Sequence, residues 1–406
     1  MLQVKATTSA IRAKTIIPLA GENAKRGQEL LSPLKKIDNG ALLLHEGKVV
    51  SCGKAKGLRL PSGSPCHDLG EVTLIPGLVN AHTHLDLSCL AGKTRQGQGF
   101  SAWLTSLIPL LHSELKDRSK VLAAMDSAVS DLAACGTAHA GNVLSQGGEL
   151  LSHLVQKAEE VKVSLSHFLE WLGYEKAEQT SLYPPNLADA LAKDPSLKDL
   201  AWPCGHALYS TSPKILQKAH AFCQKIDKPF SLHLAESPEE EEMLTRGEGP
   251  LFSIYQNSIL PKDWQPPRLK PLAYALQLGL LGPRTLAVHC VNLEEQDLDI
   301  LALTGTPVCL CPRSNHNLGV GLPKVKAMLK AGLLLCLGTD GLTSNQDLNV
   351  LQEALFLRET LDLPAQALIR LLTVNGAKAL GLAQGLGRLE LGSPARFAVL
   401  PKELEP

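Results

Sequence analysis

Eight short apolar runs, each separated from the next by a longer amphipathic stretch, constrain this chain more than anything else in it. They read "VTLIPGLVNAH" (72–82), "GTAHAGNV" (136–143), "KVSLSHFL" (162–169), "LAWPCGHAL" (200–208), "KPFSLHLAE" (228–236), "TLAVHC" (285–290), "TPVCLCP" (306–312) and "LLLCLGTD" (333–340). Runs of this length with little polar alternation suit strands buried on both faces, as in parallel sheets. Between them lie helix-like stretches such as "SKVLAAMDSAVSDLAACG" and "PKVKAMLKAG", each ending in the glycine that often follows a helix. Eight strands alternating with helices predict an α/β chain built on a (β/α)8 TIM barrel. The length of 406 residues and the 44% hydrophobic content supply a core large enough for it.

The two ends have a different texture. "TIIPLA", "GALLLHEGKVVSCGKA" and "PCHDLGEV" are short alternating pieces broken by Gly, Asp and Asn, as hairpins are, and the tail "GRLELGSPARFAVLPKE" repeats the pattern. The expected organisation is a small β-sandwich domain assembled from residues 1–70 and 385–406, flanking a barrel over 71–384. "SLYPPNLADALAKDPSLKD" and "PKDWQPPRLKP" are expected to be surface excursions.

Charge and cysteine usage narrow the function. Lys plus Arg and Asp plus Glu number 40 each, so no basic excess exists to attract nucleic acid or anionic lipid. The ten cysteines are scattered without a CxxC pair, which fits a reducing compartment. The N-terminal segment lacks the apolar centre of a signal peptide, and no run approaches the roughly 20 apolar residues that span a bilayer. A cytoplasmic chain is expected, with no membrane partner and a homodimer among the assemblies left open.

Barrel enzymes place their chemistry at the C-terminal ends of the strands, and here the polar residues gather there. The first run ends in His82 and His84, two residues apart and so on one side of an extended chain. The fourth ends near His206, the fifth in His233 with Glu236 just beyond, the sixth in His289 and the eighth in Asp340. One histidine closing an apolar run is usually structural. The same event recurring on one face is hard to assign to packing, and imidazoles with a carboxylate suit Zn²⁺ or another borderline divalent cation.

"PGLVNAHTHLD", "HLAES", "AVHC" and "GTDGLTSNQDLN" resemble the signatures of the amidohydrolase superfamily, in its cytosine-deaminase-like and S-adenosylhomocysteine-deaminase-like branch. The resemblance covers almost the whole chain. It implies a hydrolytic deaminase whose reactants are an aminated purine nucleoside and water. His82, His84, His233 and Asp340 are the ligands it implies for one divalent metal ion, zinc first and iron second. The cation would lower the pKa of water from 15.7 toward about 7. Asp340 would accept a proton from that water, Glu236 would carry a proton to a ring nitrogen, and His289 would orient the water. A two-metal centre would need a bridging lysine after the fourth strand, which "LAWPCGHAL" does not offer. The HxE and PCxxC class of deaminases is excluded by the missing CxxC.

The same resemblance implies substrate contacts for His206, for Glu170 with Trp171, and for Arg313 in "CPRSN". For Arg313 a loop-anchoring ion pair carries equal weight. At the tail, "GSPARFAVL" departs from the usual Ala-Asp pair. The acid run Glu239–Glu242 behind Ser237-Pro238 is expected to be mainly a solvated helix start, and no role is expected for His45, His67, His112, His153 or His220. Cys309 and Cys311 are expected to pack. A hydrolase displacing chloride or amine from a triazine-like ring and a non-catalytic scaffold are the alternatives.

Overall fold

The computed structural model describes residues 8–174, 182–382 and 385–406. Residues 1–7, Ser181 at the head of one expected excursion, and residue 384, where the barrel is expected to end, lie outside them. The hairpin texture of the N-terminal part becomes β1 (Thr8–Ile16), β2 (Ile37–His45), β3 (Lys48–Lys54), β4 (Cys66–Asp68) and β5 (Thr73–Pro76). β2 and β3 are joined by Glu46 and Gly47, both left-handed at φ 49° and 72°, as a two-residue hairpin turn requires. The sheet forks along β1, which pairs with β4 at Ala10–Arg12 and with β5 at Thr15–Ile16. Ile16, Leu42, Val49 and Leu74 form a separate small core there.

The eight apolar runs give β6 (Leu78–Thr83), β7 (Thr137–Leu144), β8 (Ser164–Trp171), β9 (Ala201–Gly205), β10 (Phe230–Leu234), β11 (Thr285–His289), β12 (Val308–Leu310) and β13 (Leu335–Leu337). They form two four-stranded parallel sheets, β6-β7-β8-β9 and β10-β11-β12-β13, and at least one helix separates each strand from the next. The sheets meet at two seams. At one, the His233 amide donates to the His206 carbonyl at 3.0 Å; at the other, the amides of Thr339 and Asp340 donate to the His82 carbonyl at 3.0 and 3.1 Å. The result is the (β/α)8 architecture. The last strand, β14 (Phe397–Leu400), returns to pair with β5, so both ends of the chain meet in the small sheet.

Two expectations are corrected. The run at 72–82 is two strands, because Pro76 has no amide to continue a ladder and the chain crosses from the small sheet to the barrel at Gly77. A Cβ on Gly77 would lie 2.6 Å from that of Ala138, so only glycine allows this approach. The first expected excursion is also more than a surface loop. It carries the helix Pro185–Lys193, whose Leu187 and Leu191, four residues apart, are buried in the core around β7 and β8.

Candidate metal centre and its cavity

His82 on β6, His84 just past it, His233 on β10 and Asp340 after β13 converge, with one ligand atom from each lying within 4.8 Å of all the others. His84 Nε2 is 3.2 Å from His82 Nε2 and 3.3 Å from His233 Nε2. Asp340 Oδ1 is 3.4 Å from His84 Nε2 and 3.6 Å from His82 Nε2. A Cβ on Gly338 would come within 2.9 Å of the His82 backbone nitrogen, so the approach of the β13 end to β6 depends on that glycine.

The groups behind these atoms determine what they can bind. The His206 carbonyl accepts from both the backbone amide and the Nδ1–H of His233, each at 3.0 Å, which leaves His233 Nε2 as a lone pair facing the cluster. Burial and then His82 lower the pKa of His84 to about 3, and burial and then His206 hold His233 well below its usual value, so both rings are neutral. Asp340 Oδ2 accepts from Ser314 Oγ at 2.8 Å and Ser344 Oγ at 2.5 Å, so Oδ1 is the oxygen turned to the imidazoles. Burial pushes the Asp340 carboxyl up, but His82, His84 and His289 outweigh it and hold its pKa well below the usual range. Neutral imidazole nitrogens with an ionised carboxylate are the donor set of a divalent cation, and they fit one.

Backbone strain marks the same edge. Ala235, His289, Cys290 and Asp340 are left-handed at φ 51°, 73°, 51° and 59°. Each such residue costs on the order of 1–3 kcal/mol, and such strain collects at functional sites.

Glu236 and His289 stand beside the cluster, His289 Nε2 lying 3.5 Å from Glu236 Oε1. The side-chain amide of Asn315 donates to His289 Nδ1 at 3.0 Å, so the ring carries its proton on Nε2, a buried donor with no hydrogen-bond partner among the described residues. Burial, then the charges of Asp340 and Glu240, raise the pKa of Glu236 well above the usual carboxyl value. Burial, then Asp86, raises that of Glu170 to about 8.

The cluster opens into a cavity of about 550 Å³, within the range of small-molecule sites. Glu170, Trp171 and His206 line it, and Phe100, Trp103, Leu104, Leu107 and Ile108 form one wall. Arg313 does not line it. Its guanidinium makes a two-pronged contact with Asp347, both arms at 2.9 Å, and lies 3.5 Å from the buried Glu353, so the loop-anchoring alternative describes its placement.

Several residues of this region were not expected from the sequence. Glu240 is buried, not solvated, and its carboxylate accepts from the Glu236 amide at 2.9 Å; the signal was its position four residues past Glu236 at a helix start. Asp86 Oδ2 accepts from the Ser145 amide, the Ser145 hydroxyl and the Gln146 amide at 3.0–3.1 Å, which fixes a turn on the cavity wall. His112 lines the cavity. Asn315 and Ser314 lie in "CPRSN" and Ser344 in "GTDGLTSNQDLN", but no role was expected for them, since what they support lies on other elements.

A profile of the amidohydrolase family matches residues 73–405. The chain is 30% identical over 381 residues to the 5-methylthioadenosine/S-adenosylhomocysteine deaminase of Nitratidesulfovibrio vulgaris, covering 90% of this chain and 79% of that protein. It is 28% identical over 327 residues to the 5'-deoxyadenosine deaminase of Methanothermobacter thermautotrophicus, covering 77% and 70%. Aminofutalosine deaminase of Helicobacter pylori, solved with methylthio-coformycin, has the same fold at a TM-score of 0.79, with 22% identity and coverage of 98% and 94%. A zinc-bound adenosine deaminase from Xanthomonas campestris gives 0.75, with 21% identity and coverage of 97% and 84%. The chain belongs to the amidohydrolase family, and it is a hydrolase acting on carbon–nitrogen bonds.

Proposed function

We propose that this chain is a hydrolytic deaminase of adenine-type nucleosides, working with one divalent metal ion held by His82, His84, His233 and Asp340. The observation that carries the reading is the convergence of these four ligand atoms at the floor of an apolar-walled cavity, with Glu236 and His289 beside them. The donor set favours zinc, with iron second. When bound, the cation supplies the Lewis acidity that lets water ionise near neutral pH.

The chain's own groups supply the rest. Asp340, kept ionised, takes a proton from the attacking water. Glu236, kept protonated by burial and neighbouring carboxylates, gives a proton to the ring nitrogen beside the amino-bearing carbon. His289 presents its Nε2–H to the oxygen added at that carbon, in the tautomer that Asn315 selects. A second proton passed to the amino group lets it leave as ammonia, and the oxygenated purine remains.

The proposed substrate is 6-amino-6-deoxyfutalosine, an adenine-bearing intermediate of a menaquinone route. The long wall from Phe100 to Ile108 suits its aromatic substituent, and the likeness to the Helicobacter pylori enzyme supports the fold for it. Methylthioadenosine or S-adenosylhomocysteine is the second reading. It is favoured by the Nitratidesulfovibrio vulgaris relative and by the cavity lining, where no Lys or Arg occurs among the described residues to meet a carboxylate. Ammonia release would be measured with these three nucleosides, adenosine and guanine, and chloride release with a chlorinated triazine. Fastest turnover of aminodeoxyfutalosine is expected. Fastest turnover of methylthioadenosine would move the assignment to the second reading, and activity confined to guanine or the triazine, or none at all, would remove the adenine-nucleoside assignment.

A further inference from the structure

At the opposite end of the barrel, where β7, β8 and β9 begin, lies a second cavity of about 630 Å³. Its apolar lining includes Val155, Leu165, Trp202, Leu382 and Leu386; its polar lining includes His139, Ser166, His167, the cations Lys162, Lys228 and Arg396, and at its rim the carboxylates Glu159 and Asp199. None of these belongs to the metal centre or its supports. Arg396 directly precedes β14, and its carbonyl accepts from the Gly77 amide at 2.9 Å, so the small sheet brings this arginine to the barrel floor. Pockets at such junctions between domains are common ligand sites.

Three polar groups there are incompletely satisfied. Arg396 Nη1 is buried without a hydrogen-bond partner among the described residues, and burial lowers the pKa of its guanidinium. His139 is buried, with Nε2 at 2.9 Å from Ser166 Oγ and Nδ1 without a partner. His167 is fully buried, and its Nε2 lacks one as well. Lys228 places its ammonium over the Trp202 ring, 5.1 Å from the centroid. Both Arg396 and Lys228 act on His139, which burial keeps neutral. A buried guanidinium nitrogen without a partner is costly, and cationic donors beside an apolar cavity are matched by an acceptor that carries negative charge and an apolar body.

We propose that this cavity binds a small organic oxyanion, a carboxylate or phosphate head joined to an apolar body, with the head on Arg396 and Lys228 and the body against Trp202, Leu382 and Leu386. The neutral His139 adds a hydrogen bond to the head. The site is separate from the deaminase reading and does not depend on it.

Titration calorimetry on the full chain with its metal would use phenylacetate, phenyl phosphate and uncharged phenylacetamide, and the first two would show whether a carboxylate or a phosphate is preferred. One of the anions is expected to bind saturably and at least tenfold more tightly than phenylacetamide. Arg396→Gln and, independently, Lys228→Gln are each expected to weaken that anion at least fivefold. No saturable binding of either anion, equal binding of the amide, or binding indifferent to both substitutions would overturn the proposal. The last outcome would place the anion elsewhere, the metal centre included.

Discussion

Replacing Ser344 with alanine tests whether the groups behind Asp340 prepare it as a metal ligand. Ser344 Oγ and Ser314 Oγ lie 2.5 and 2.8 Å from Asp340 Oδ2, and both serines are fully buried. A hydrogen bond to a charged group contributes roughly 1.5–3 kcal/mol. Removing a group that orients a metal ligand typically costs about 10- to 100-fold in affinity, which corresponds to about 1.4–2.7 kcal/mol. The two estimates coincide. The Ser314 hydroxyl, which also lies 2.8 Å from Ser344 Oγ, remains in the single variant to serve Oδ2, so Ser344→Ala is expected near the low end, about tenfold weaker in metal affinity. In the double variant Ser314→Ala with Ser344→Ala, Oδ2 is buried with neither hydroxyl, and the loss is expected to approach 100-fold. Metal-stripped protein titrated with zinc against a chromophoric chelator gives the affinities, and circular dichroism checks the fold. A double variant that folds normally and binds zinc within twofold of the unmodified chain would refute the reasoning.

Glu236→Gln keeps the side-chain size and removes the acid, so metal content should be unchanged while turnover falls by roughly 10²- to 10⁴-fold, read by elemental analysis and ammonia release. Arg313→Lys breaks the two-pronged contact to Asp347, so kcat/KM should fall by the same factor for a carboxylated and an uncharged nucleoside; a selective loss on the carboxylated one would restore a substrate contact. Burial lowers the pKa of His167 from 6.5 to about 3, so its share of stability is intact above pH 6.5 and is lost as pH falls toward 3. At pH 5 that loss is about 2 kcal/mol, and His167→Gln should flatten denaturant-measured stability between pH 7 and 5 by about this amount; an unchanged slope would contradict it. Metal removal should speed hydrogen exchange at the amides of His233, Thr339 and Asp340, which close the barrel seams, more than at the β7–β8 amides, and uniform exchange would count against coupling of metal to closure.

What could be read in the sequence is what alternation and strand ends carry. A polar residue closing an apolar run has few places to go in a barrel, so His82, His84, His206, His233, Glu236, His289 and Asp340 stand out together at the strand ends, and the resemblance to the amidohydrolase superfamily is what singles out four of them as ligands. Their supports do not stand out. Ser314 reaches Asp340 from 26 positions away on another element, and Asn315 reaches His289 only when the helix Pro312–Leu318 packs over β11. Glu240 was misread because a carboxylate in the first turn of a helix is favoured by the helix dipole whether it faces water or an amide such as that of Glu236. The left-handed conformations of His289 and Asp340 are invisible for a related reason. Neither is glycine, so nothing local announces a positive φ. The division of the first run at Pro76–Gly77 was written in the sequence, but both halves are apolar and buried, and composition could not show that they pair with different sheets.

The two seams that close the barrel also orient the candidate ligands. Each four-stranded sheet has two edges that must be matched to close the barrel, and at both edges the groups that do so belong to residues of the cluster. The amide and the Nδ1–H of His233 share the His206 carbonyl, so the contact that joins β9 to β10 also selects the tautomer that aims Nε2 inward. On the other side, the amides of Thr339 and Asp340 both reach the His82 carbonyl, which turns the backbone at Asp340 left-handed and directs its carboxylate toward the imidazoles. A barrel open at either seam would therefore lack a prepared ligand set. A cation bridging His82, His84, His233 and Asp340 would in turn tie β6, β10 and the end of β13 together across both seams, offsetting part of the strain that the site imposes on the chain.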